Sequence, residues 1–319
     1  MSLRGRRHGG GRKNELVFLT TCGPATTFDP KITGVDGTWF FDDGTTLAAA
    51  SGAEISKTFA ADGLHRAVFR PASGGLAAIT SIAVESDLLV GDYTSLLAAC
   101  RNLTSITVYT NSNMSWNLDR IAANGKITNL ACAGSGCYGN LSSLSSRPIT
   151  YMDLGYNSGI VGTLADVPST ITAYLKLISC VGISGSIDQL DTPTAQIVYL
   201  YSNTGITSGS VAGLVAIRDL RVHSMGWLTA DVDTVINSMW AARANYTYAT
   251  PALQIGGTNQ APTGTVGAPV EGADWHEDTP GHWTPLTAGA KIYDLAKNVN
   301  SEVRTAAWTI TYTGGSIAP

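Results

Sequence analysis

The fold is decided by residues 152–164, which read MDLGYNSGIVGTL. The stretch opens with two apolar residues, Met152 and Leu154, that flank a single variable residue. The same kind of pair recurs at six other places in the chain, beginning at residues 82, 106, 130, 175, 198 and 220. From one pair to the next the steps are 24, 24, 22, 23, 23 and 22 residues, and a further pair begins at Leu253 after a step of 33. Seven matches in register indicate a repeat protein.

The residues that follow each pair narrow the type of repeat. Asn157 follows Leu154 and Asn203 follows Leu200, at positions where an Asn side chain can bond the open backbone groups of a turn. A period of about 20–29 residues around an L-x-L core is typical of leucine-rich repeats. A following S-G-x-I element, seen in residues 184–187, resembles the second short strand of the plant-receptor type. The resemblance covers residues 79–256, with departures at Cys180 and Ser224, which stand near where Asn is expected.

An aromatic, turn-rich segment precedes the repeats. Residues 37–46 read GTWFFDDGTT, an apolar strand that runs into a D-G turn, and residues 57–69 read KTFAADGLHRAVF. This order resembles polycystic-kidney-disease-type domains, although Asp42 replaces the usual Gly and Lys57-Thr58-Phe59 replaces H-x-Y. The resemblance implies a β-sandwich-like module that caps the repeats, because an open end of a repeat array would expose its core.

Together these patterns predict an α/β solenoid, a leucine-rich-repeat parallel β-sheet with an N-terminal β-sandwich-like module and a small α+β C-terminal cap. The predicted boundaries are a basic arm over residues 1–25, the β module over 26–78, the solenoid over 79–267 and a cap or docking module over 268–319. Apolar spacing also predicts helices over 229–249 and 290–298 and a final strand over 308–312.

Composition and charge limit the class of protein. The 319 residues are 44% hydrophobic and 14% charged, which is a globular composition. No apolar run approaches the roughly 18–20 residues that span a bilayer, and the apolar run at 16–19 is too short for a signal peptide. We therefore expect no membrane insertion and no secretion signal.

The net charge of −4 is unevenly distributed. The first 14 residues contain no acid and five cations, namely Arg4, Arg6, Arg7, Arg12 and Lys13. Subtracting these five charges leaves −4 − 5 = −9 on the remainder. A basic, Gly-rich arm is a solvated tail or an anchor on an acidic surface or nucleic acid. We expect it to anchor the chain in an assembly with other protein subunits, and we do not favour nucleic acid as the partner.

The cysteines allow two interpretations. They number five and lack metal-ligand spacing, at Cys22, Cys100, Cys132, Cys137 and Cys180. Cys132 and Cys137 could form a disulfide or a zinc pair. The alternative is that all are buried thiols acting as small hydrophobic residues, which suits folding in a reducing cytoplasm.

The sequence contains no motif for catalysis. It has no Gly-rich phosphate loop, no H-E-x-x-H and no G-x-S-x-G elbow, so we expect no enzyme activity, no cofactor and no bound metal. The densest polar cluster, residues 275–278 with His282 and Trp283, could bind a metal or stack on a sugar, or could be a surface loop with packed Trp residues. Asp42 and Asp43 could bind calcium, or could be ordinary turn residues.

The variable residues of the repeats offer a candidate binding surface. In an L-x-L strand the alternate residues point away from the core, and leucine-rich repeats place them on the concave face of the sheet. These residues are Tyr151, Asp153, Tyr174, Lys176, Tyr199, Tyr201, Asp219, Arg221 and His223. Earlier repeats offer Ala83, Thr107, Ala131 and Ala133 instead. A Tyr-rich stripe suits recognition of protein or glycan, whereas a solvated sheet or packing against a neighbouring subunit remains open.

The order of modules resembles structural proteins of tailed bacteriophages. That resemblance implies a non-enzymatic virion protein, exposed on capsid or tail, for decoration or host-surface attachment. Its partners would be other virion proteins or copies of itself in an oligomeric assembly formed in the host cytoplasm, and a host surface glycan or protein. The alternative is an extracellular or cell-surface bacterial leucine-rich-repeat adhesin, or a glycan- or protein-binding module. A polysaccharide-degrading tail enzyme is disfavoured, since no paired carboxylates recur at matching repeat positions.

Overall fold

The computed structural model describes residues 14–84, 88–110, 113–299 and 307–319. The chain divides into two compact units, Met1–Ile160 and Val161–Pro319. The cations of the predicted arm, Arg4, Arg6, Arg7, Arg12 and Lys13, lie outside the described residues. The boundary between the units falls inside the segment 79–267 that was predicted to form one array of repeats, and the predicted domain boundaries stay predictions.

The first unit contains short strands and few helices. Its strands are β1 (Leu16–Cys22), β2 (Lys31–Thr33), β3 (Gly37–Phe41), β4 (Thr46–Ala49), β5 (Gly63–Pro71), β6 (Ser81–Val84), β7 (Gly91–Asp92), β8 (Ser105–Val108), β9 (Met114–Asn117), β10 (Asn129–Ala131), β11 (Cys137–Asn140) and β12 (Tyr151–Asp153). Its α-helices are α1 (Thr94–Ala99) and α2 (Leu118–Ala122), with 3₁₀ turns at Gly75–Ala78 and Leu141–Leu144.

The first sheet of this unit is antiparallel, in the order β1-β5-β3-β4. Its core is aromatic, with the Trp39 ring centroid 5.6 Å from that of Phe18 and 5.2 Å from that of Phe69. The sheet begins at Leu16, inside the segment assigned to the arm, because alternate residues of β1 are buried in this core. A sandwich also requires a second sheet opposite the first, and that part of the interpretation stays a prediction.

The repeat pairs of the first unit lie in a second sheet, in which β2, β6, β8, β10 and β12 are neighbours in that order. The pairs align in register, with Ile106 opposite Ile82 on one side and Leu130 on the other, and Leu130 opposite Met152. All these strands are parallel except β2, which pairs with β6 in the antiparallel sense. A second row of short strands, β7-β9-β11, follows the same chain order.

The second unit continues the pattern of short strands. After β13 (Gly159–Thr163), which spans the boundary, its strands are β14 (Tyr174–Lys176), β15 (Gly182–Ser186), β16 (Ile197–Tyr199), β17 (Ile206–Thr207), β18 (Asp219–Arg221), β19 (Ala252–Gln254), β20 (Trp275–Thr279), β21 (His282–Pro285), β22 (Thr309–Tyr312) and β23 (Gly315–Ile317). Its helices are α3 (Thr229–Ala241) and α4 (Ala288–Lys297), with 3₁₀ turns at Leu164–Asp166 and Ile187–Gln189.

The main sheet of the second unit has the order β14-β16-β18-β19-β22-β23. Its strands are parallel as far as β22, and Leu175, Val198, Leu220, Leu253 and Ile310 lie opposite one another in sequence. The segment 268–319, predicted as a cap or docking module, therefore supplies two strands of this sheet, β22 and β23. The predicted parallel sheet is confirmed, and the regular structure is mostly β-strand with few helices.

Helix α3 ends at Ala241, eight residues before the predicted end. The chain leaves the helix there because Tyr246 is buried against Trp308, with ring centroids 5.0 Å apart. The Thr247 N–H then donates to the Val215 carbonyl at 2.9 Å, which fixes the chain in its non-helical course.

One residue in each of seven described repeat turns adopts the left-handed backbone conformation. It stands two positions after the second apolar residue of the pair, at Thr110, Gly134 and Tyr156 in the first unit and at Ser179, Ser202, Ser224 and Gly257 in the second. Their φ angles lie between 52° and 73°. Only two of the seven are glycine, so the packing of the repeat imposes this turn on residues that do not favour it.

Candidate binding face

We call the side chains at alternate positions to the buried pairs the outward face. In the second unit the predicted residues of this face are Tyr174, Lys176, Tyr199, Tyr201, Asp219, Arg221 and His223, and all are half-buried. The parallel register sets Lys176 opposite Tyr199, and Tyr199 opposite Arg221. Because side chains alternate along a strand while the L-x-L residues point into the core, the fold brings these groups to one side of the sheet.

The centre of the outward face in the second unit is an aromatic ring between two cations. Lys176 Nζ lies 5.5 Å from the centroid of the Tyr199 ring and 5.1 Å from that of Tyr174. The Arg221 guanidinium carbon lies 4.2 Å from the centroid of the Tyr199 ring. Each cation is attracted to the negative face of a ring, which positions both charges on the sheet.

Asp219 holds two of these groups in place. Tyr199 Oη donates to Asp219 Oδ2 at 2.5 Å, and Arg221 Nη2 donates to the same oxygen at 2.8 Å. Burial, together with the hydrogen bond to Asp219, raises the pKa of Tyr199, and the hydrogen bond to Asp219 raises the pKa of Arg221. At neutral pH Tyr199 is therefore a protonated donor, Arg221 is cationic, and the carboxylate is occupied as an acceptor.

A second aromatic group adjoins the first. The rings of Tyr201 and His223 are stacked with centroids 4.3 Å apart and an angle of 17° between their planes, and Tyr201 lies 6.3 Å from Tyr199. His223 Nδ1 is 3.2 Å from Ser224 Oγ. Burial and the charge of Arg221 lower the pKa of His223, so the imidazole is neutral at pH 7.

The two predicted residues of the first unit, Tyr151 and Asp153, lie on β12 next to a tyrosine that the sequence analysis missed. Burial and a hydrogen bond with Tyr151 raise the pKa of Tyr109, and Asp153 is 6% exposed. The Gly155 N–H donates to Asp153 Oδ1 at 3.3 Å. Tyr109 follows β8 at an alternate position, and extending the period-two count by one residue would have found it.

The rest of the outward face in the first unit carries Asn129 and the small side chains Ser81, Ala83, Ser105, Thr107 and Ala131. Three of these, Ser81, Ala83 and Thr107, line a cavity of about 240 Å³ together with Asp29, Lys31 and Glu54. This cavity combines two carboxylates with one ammonium group and contains no aromatic side chain. It therefore differs in chemistry from the face of the second unit.

The polar cluster at residues 275–283 and the turn residue Asp43, both singled out in the sequence, pair with charged side chains nearby. His276 Nδ1 lies 3.1 Å from Glu271 Oε1, and His282 Nδ1 lies 3.5 Å from Asp278 Oδ2, on the exposed hairpin of β20 and β21. Asp43 pairs with Lys57 at 2.5 Å, and this bond lowers the pKa of Asp43 to about 2. In the part of the chain that the structure describes, no group of three or more His, Cys, Asp or Glu side chains is arranged to hold a metal ion.

All five cysteines are buried thiols, and none of them forms a disulfide. Burial raises the pKa of the Cys100 thiol to about 12 and also raises that of Cys22 and, strongly, of Cys132. The interpretation of these residues as small hydrophobic side chains is confirmed, and the alternative disulfide between Cys132 and Cys137 is not formed. Thiols with such raised pKa values are poor nucleophiles and poor metal ligands.

Comparisons of the chain with protein-family models, with curated proteins and with solved structures found no match. Among the described residues, no helix has the length and apolarity needed to cross a bilayer. The outward face is therefore the feature of the chain that bears on its function.

Proposed function

We propose that the parallel strands are those of an irregular leucine-rich-repeat solenoid. Three features support this architecture in both units: the pairs in register, the left-handed residue at a fixed place in seven described turns, and the second row of short strands. Buried Asn side chains add a fourth. Asn157 Nδ2 donates to the carbonyl of Cys132 at 2.8 Å, and Asn203 Nδ2 donates to that of Leu177 at 2.5 Å, so each ties its turn to the preceding repeat.

We infer that the protein is a non-enzymatic binding protein exposed on the capsid or tail of a bacteriophage, where it serves decoration or host-surface attachment. The observation that carries this proposal is the cluster of aromatic and cationic side chains on the outward face of the second unit. Rigid aromatic rings and Arg provide most of the energy at recognition surfaces. A binding role also fits Asp219, whose carboxylate accepts bonds from Tyr199 and Arg221 and is poorly placed to act as a base.

The placement in a virion draws on two further features. Buried thiols that form no disulfide suit a chain that folds and assembles in the reducing host cytoplasm before it functions outside. The cations of the N-terminal arm suit an anchor on carboxylates of neighbouring virion proteins or of other copies of this chain. The alternative is a bacterial surface adhesin, which would use the same outward face for a glycan or a protein.

Antibody labelling tests the proposal. An antibody raised against the purified chain should decorate the outside of intact phage particles from infected cells that carry the gene, as seen by electron microscopy. A chain that lacks residues 1–13 should leave those particles unlabelled while unfolding at the same temperature as the full chain. Label on the surface of uninfected bacteria would favour the adhesin. If neither phage particles nor bacterial surfaces were labelled, both the virion function and the adhesin function would be overturned.

A further inference from the structure

The outward face of the first unit contains a step between long and short side chains. Strand β2 pairs with β6 so that Lys31 lies opposite Ala83, and Thr107 of β8 lies opposite Ala83 on the other side. On its own other side Lys31 forms a bridge with Glu54. Long charged side chains at the end of the sheet therefore stand beside short ones. This difference in length leaves the cavity of about 240 Å³, which Ser81 also lines.

The lining of this cavity carries an excess of negative charge. Asp29 and Glu54 contribute two carboxylates and Lys31 contributes one ammonium group, so the charges sum to −1. Within the part of the chain that the structure describes, no hydrogen bond or ion pair joins these three side chains to another protein group. A pairing of Lys31 with either carboxylate would still leave the other carboxylate without a cation. The cavity therefore favours a ligand with a positive charge.

Asp29 and Lys31 specify two different groups on that ligand. Asp29 is half-buried, and its Oδ1 is buried without a hydrogen-bond partner among the described residues. A carboxylate withdrawn from water is stabilised most by a cationic hydrogen-bond donor, such as an ammonium group. The Lys31 side chain can only donate, so it requires an acceptor oxygen. A ligand that satisfies both residues carries an ammonium group and at least one oxygen acceptor.

The size and the remaining lining of the cavity narrow the class of ligand. Its volume lies just below the range of about 300–1,000 Å³ that holds drug-sized ligands, so a single small ring fits. The hydroxyl groups of Ser81 and Thr107 can exchange hydrogen bonds with hydroxyl groups of a ligand. A bare metal ion is disfavoured because the ammonium group of Lys31 would repel it. A hydroxylated ring with one ammonium group meets all of these requirements.

We propose that the cavity of the first unit binds an amino sugar with a free amino group. Its ammonium group pairs with Asp29 and Glu54, one of its hydroxyl oxygens accepts from Lys31, and the short side chain of Ala83 leaves room for the ring. The single positive charge of the ligand balances the charge of −1 on the lining. This site lies within the first unit and goes beyond the proposed function, which rests on the outward face of the second unit.

Calorimetric titration of the full chain with small amines and sugars tests the proposal. The probes are glucosamine and galactosamine, the N-acetyl counterpart of each, and n-butylamine, which has an ammonium group but no hydroxyl group. At about pH 6 the free amines are protonated and the carboxylates are ionised. At least one of the two amino sugars should bind roughly tenfold more tightly than its N-acetyl counterpart and than n-butylamine, because only the amino sugar offers both an ammonium group and hydroxyl groups.

Three variants change the charge and the volume of the cavity separately. Asp29→Asn keeps the size of the side chain but removes its charge, and should weaken amino-sugar binding roughly tenfold. Glu54→Gln repeats this test at an exposed residue, where folding is least disturbed. Ala83→Leu keeps the charge but fills the cavity and should abolish binding. The matched control is Asp62→Asn, which removes an exposed carboxylate of the same unit outside the cavity lining and should bind like the wild type. Melting temperatures check that every variant is folded.

Four results would overturn the amino-sugar inference. Equal binding of an amino sugar and its N-acetyl counterpart would show that the ammonium group is not recognised, and equal binding of n-butylamine would show that the hydroxyl groups are not. Unchanged binding by folded Ala83→Leu would place the ligand outside the cavity. Absence of binding to every probe would also overturn the inference. None of these results affects the proposed place on the virion, which the antibody labelling decides separately.

Discussion

The two units contain the same buried strands but differ in their outward faces. Inward positions such as Leu154 in the first unit and Leu200 in the second are fully buried, and both are leucine. Outward positions differ, with Thr107 on β8 of the first unit and Tyr199 on β16 of the second. Packing restricts the inward residues, whereas the outward residues are restricted only by what they contact. Binding chemistry can therefore change from repeat to repeat without altering the strand pattern.

The largest effect expected in this comparison comes from the shared interior. Leu154→Ala and Leu200→Ala should each lower the free energy of unfolding by about 2–5 kcal/mol, because each removes a fully buried side chain and leaves a cavity. Urea unfolding followed by circular dichroism measures both variants. Thr107→Ala, on the outward face, serves as control and should stay within about 0.5 kcal/mol of the wild type. A leucine variant as stable as this control would show that the pair does not form a packed core.

The buried Asn side chains should show a difference between the units. Asn157 Oδ1 accepts from the N–H groups of Ser135 and Cys137 at 3.1 and 3.0 Å, and Nδ2 donates to three carbonyls. Asn203 Nδ2 donates to two carbonyls, and Asn203 Oδ1 has no hydrogen-bond partner. Asn157→Ala should therefore cost about 3 kcal/mol and Asn203→Ala about 2 kcal/mol, since more buried groups lose their partners in the first case. Thermal and urea unfolding measure both, and a larger loss for Asn203→Ala would contradict this account.

Much of the arrangement of strands and helices could be predicted from the sequence, because buried positions recur with the period of a strand or a helix and are occupied by apolar residues. The L-x-L spacing located strands such as β14 and β16, and the helical spacing located α3 and α4. The strand at 308–312 was predicted, but not its place beside β19, because a step of more than 50 residues from Leu253 to Ile310 hides the register. Likewise, β1 was assigned to the arm because its short apolar run carries no information about its distant partner β5.

The candidate site was predictable in its members but not in its contacts. Period-two alternation identified Tyr199, Asp219 and Arg221 as residues of one face. The sequence could not show that Asp219 bonds both other side chains, since such bonds depend on rotamers and on the register of neighbouring strands. Tyr109 went unnoticed for a different reason, because it follows Val108 as Tyr201 follows Leu200, and the same period-two count would have found it.

A smaller change in free energy is expected when the outward faces of the two units are compared by their contribution to binding. Changing Tyr174 and Tyr199 together to Ala should weaken attachment to host cells or to a neighbouring subunit more than tenfold, which corresponds to about 1.4 kcal/mol. Changing Ser105 and Thr107 together should leave attachment almost unchanged, because small side chains contribute little to recognition. Purified wild type and both double variants are compared in one binding assay, with folding checked by circular dichroism. Equal binding by all three would assign the face to solvent and direct attention to the terminal segments.

The smallest effect concerns His223, an outward-face residue whose titration is coupled to folding. Burial and Arg221 lower its pKa in the folded chain below the value of 6.5 for an unperturbed histidine. The unfolded chain therefore binds this proton more readily, so acidification through that range stabilises the unfolded state and lowers the melting temperature. His223→Phe keeps an aromatic ring for Tyr201 to stack on but does not titrate. Between about pH 8 and about pH 5 its melting temperature should fall less than that of the wild type.

His276→Gln is the control of opposite sign, because hydrogen bonding to Glu271 raises the pKa of His276. Its melting temperature should fall at least as much as that of the wild type, and an equal fall for His223→Phe would show that His223 does not couple protonation to folding.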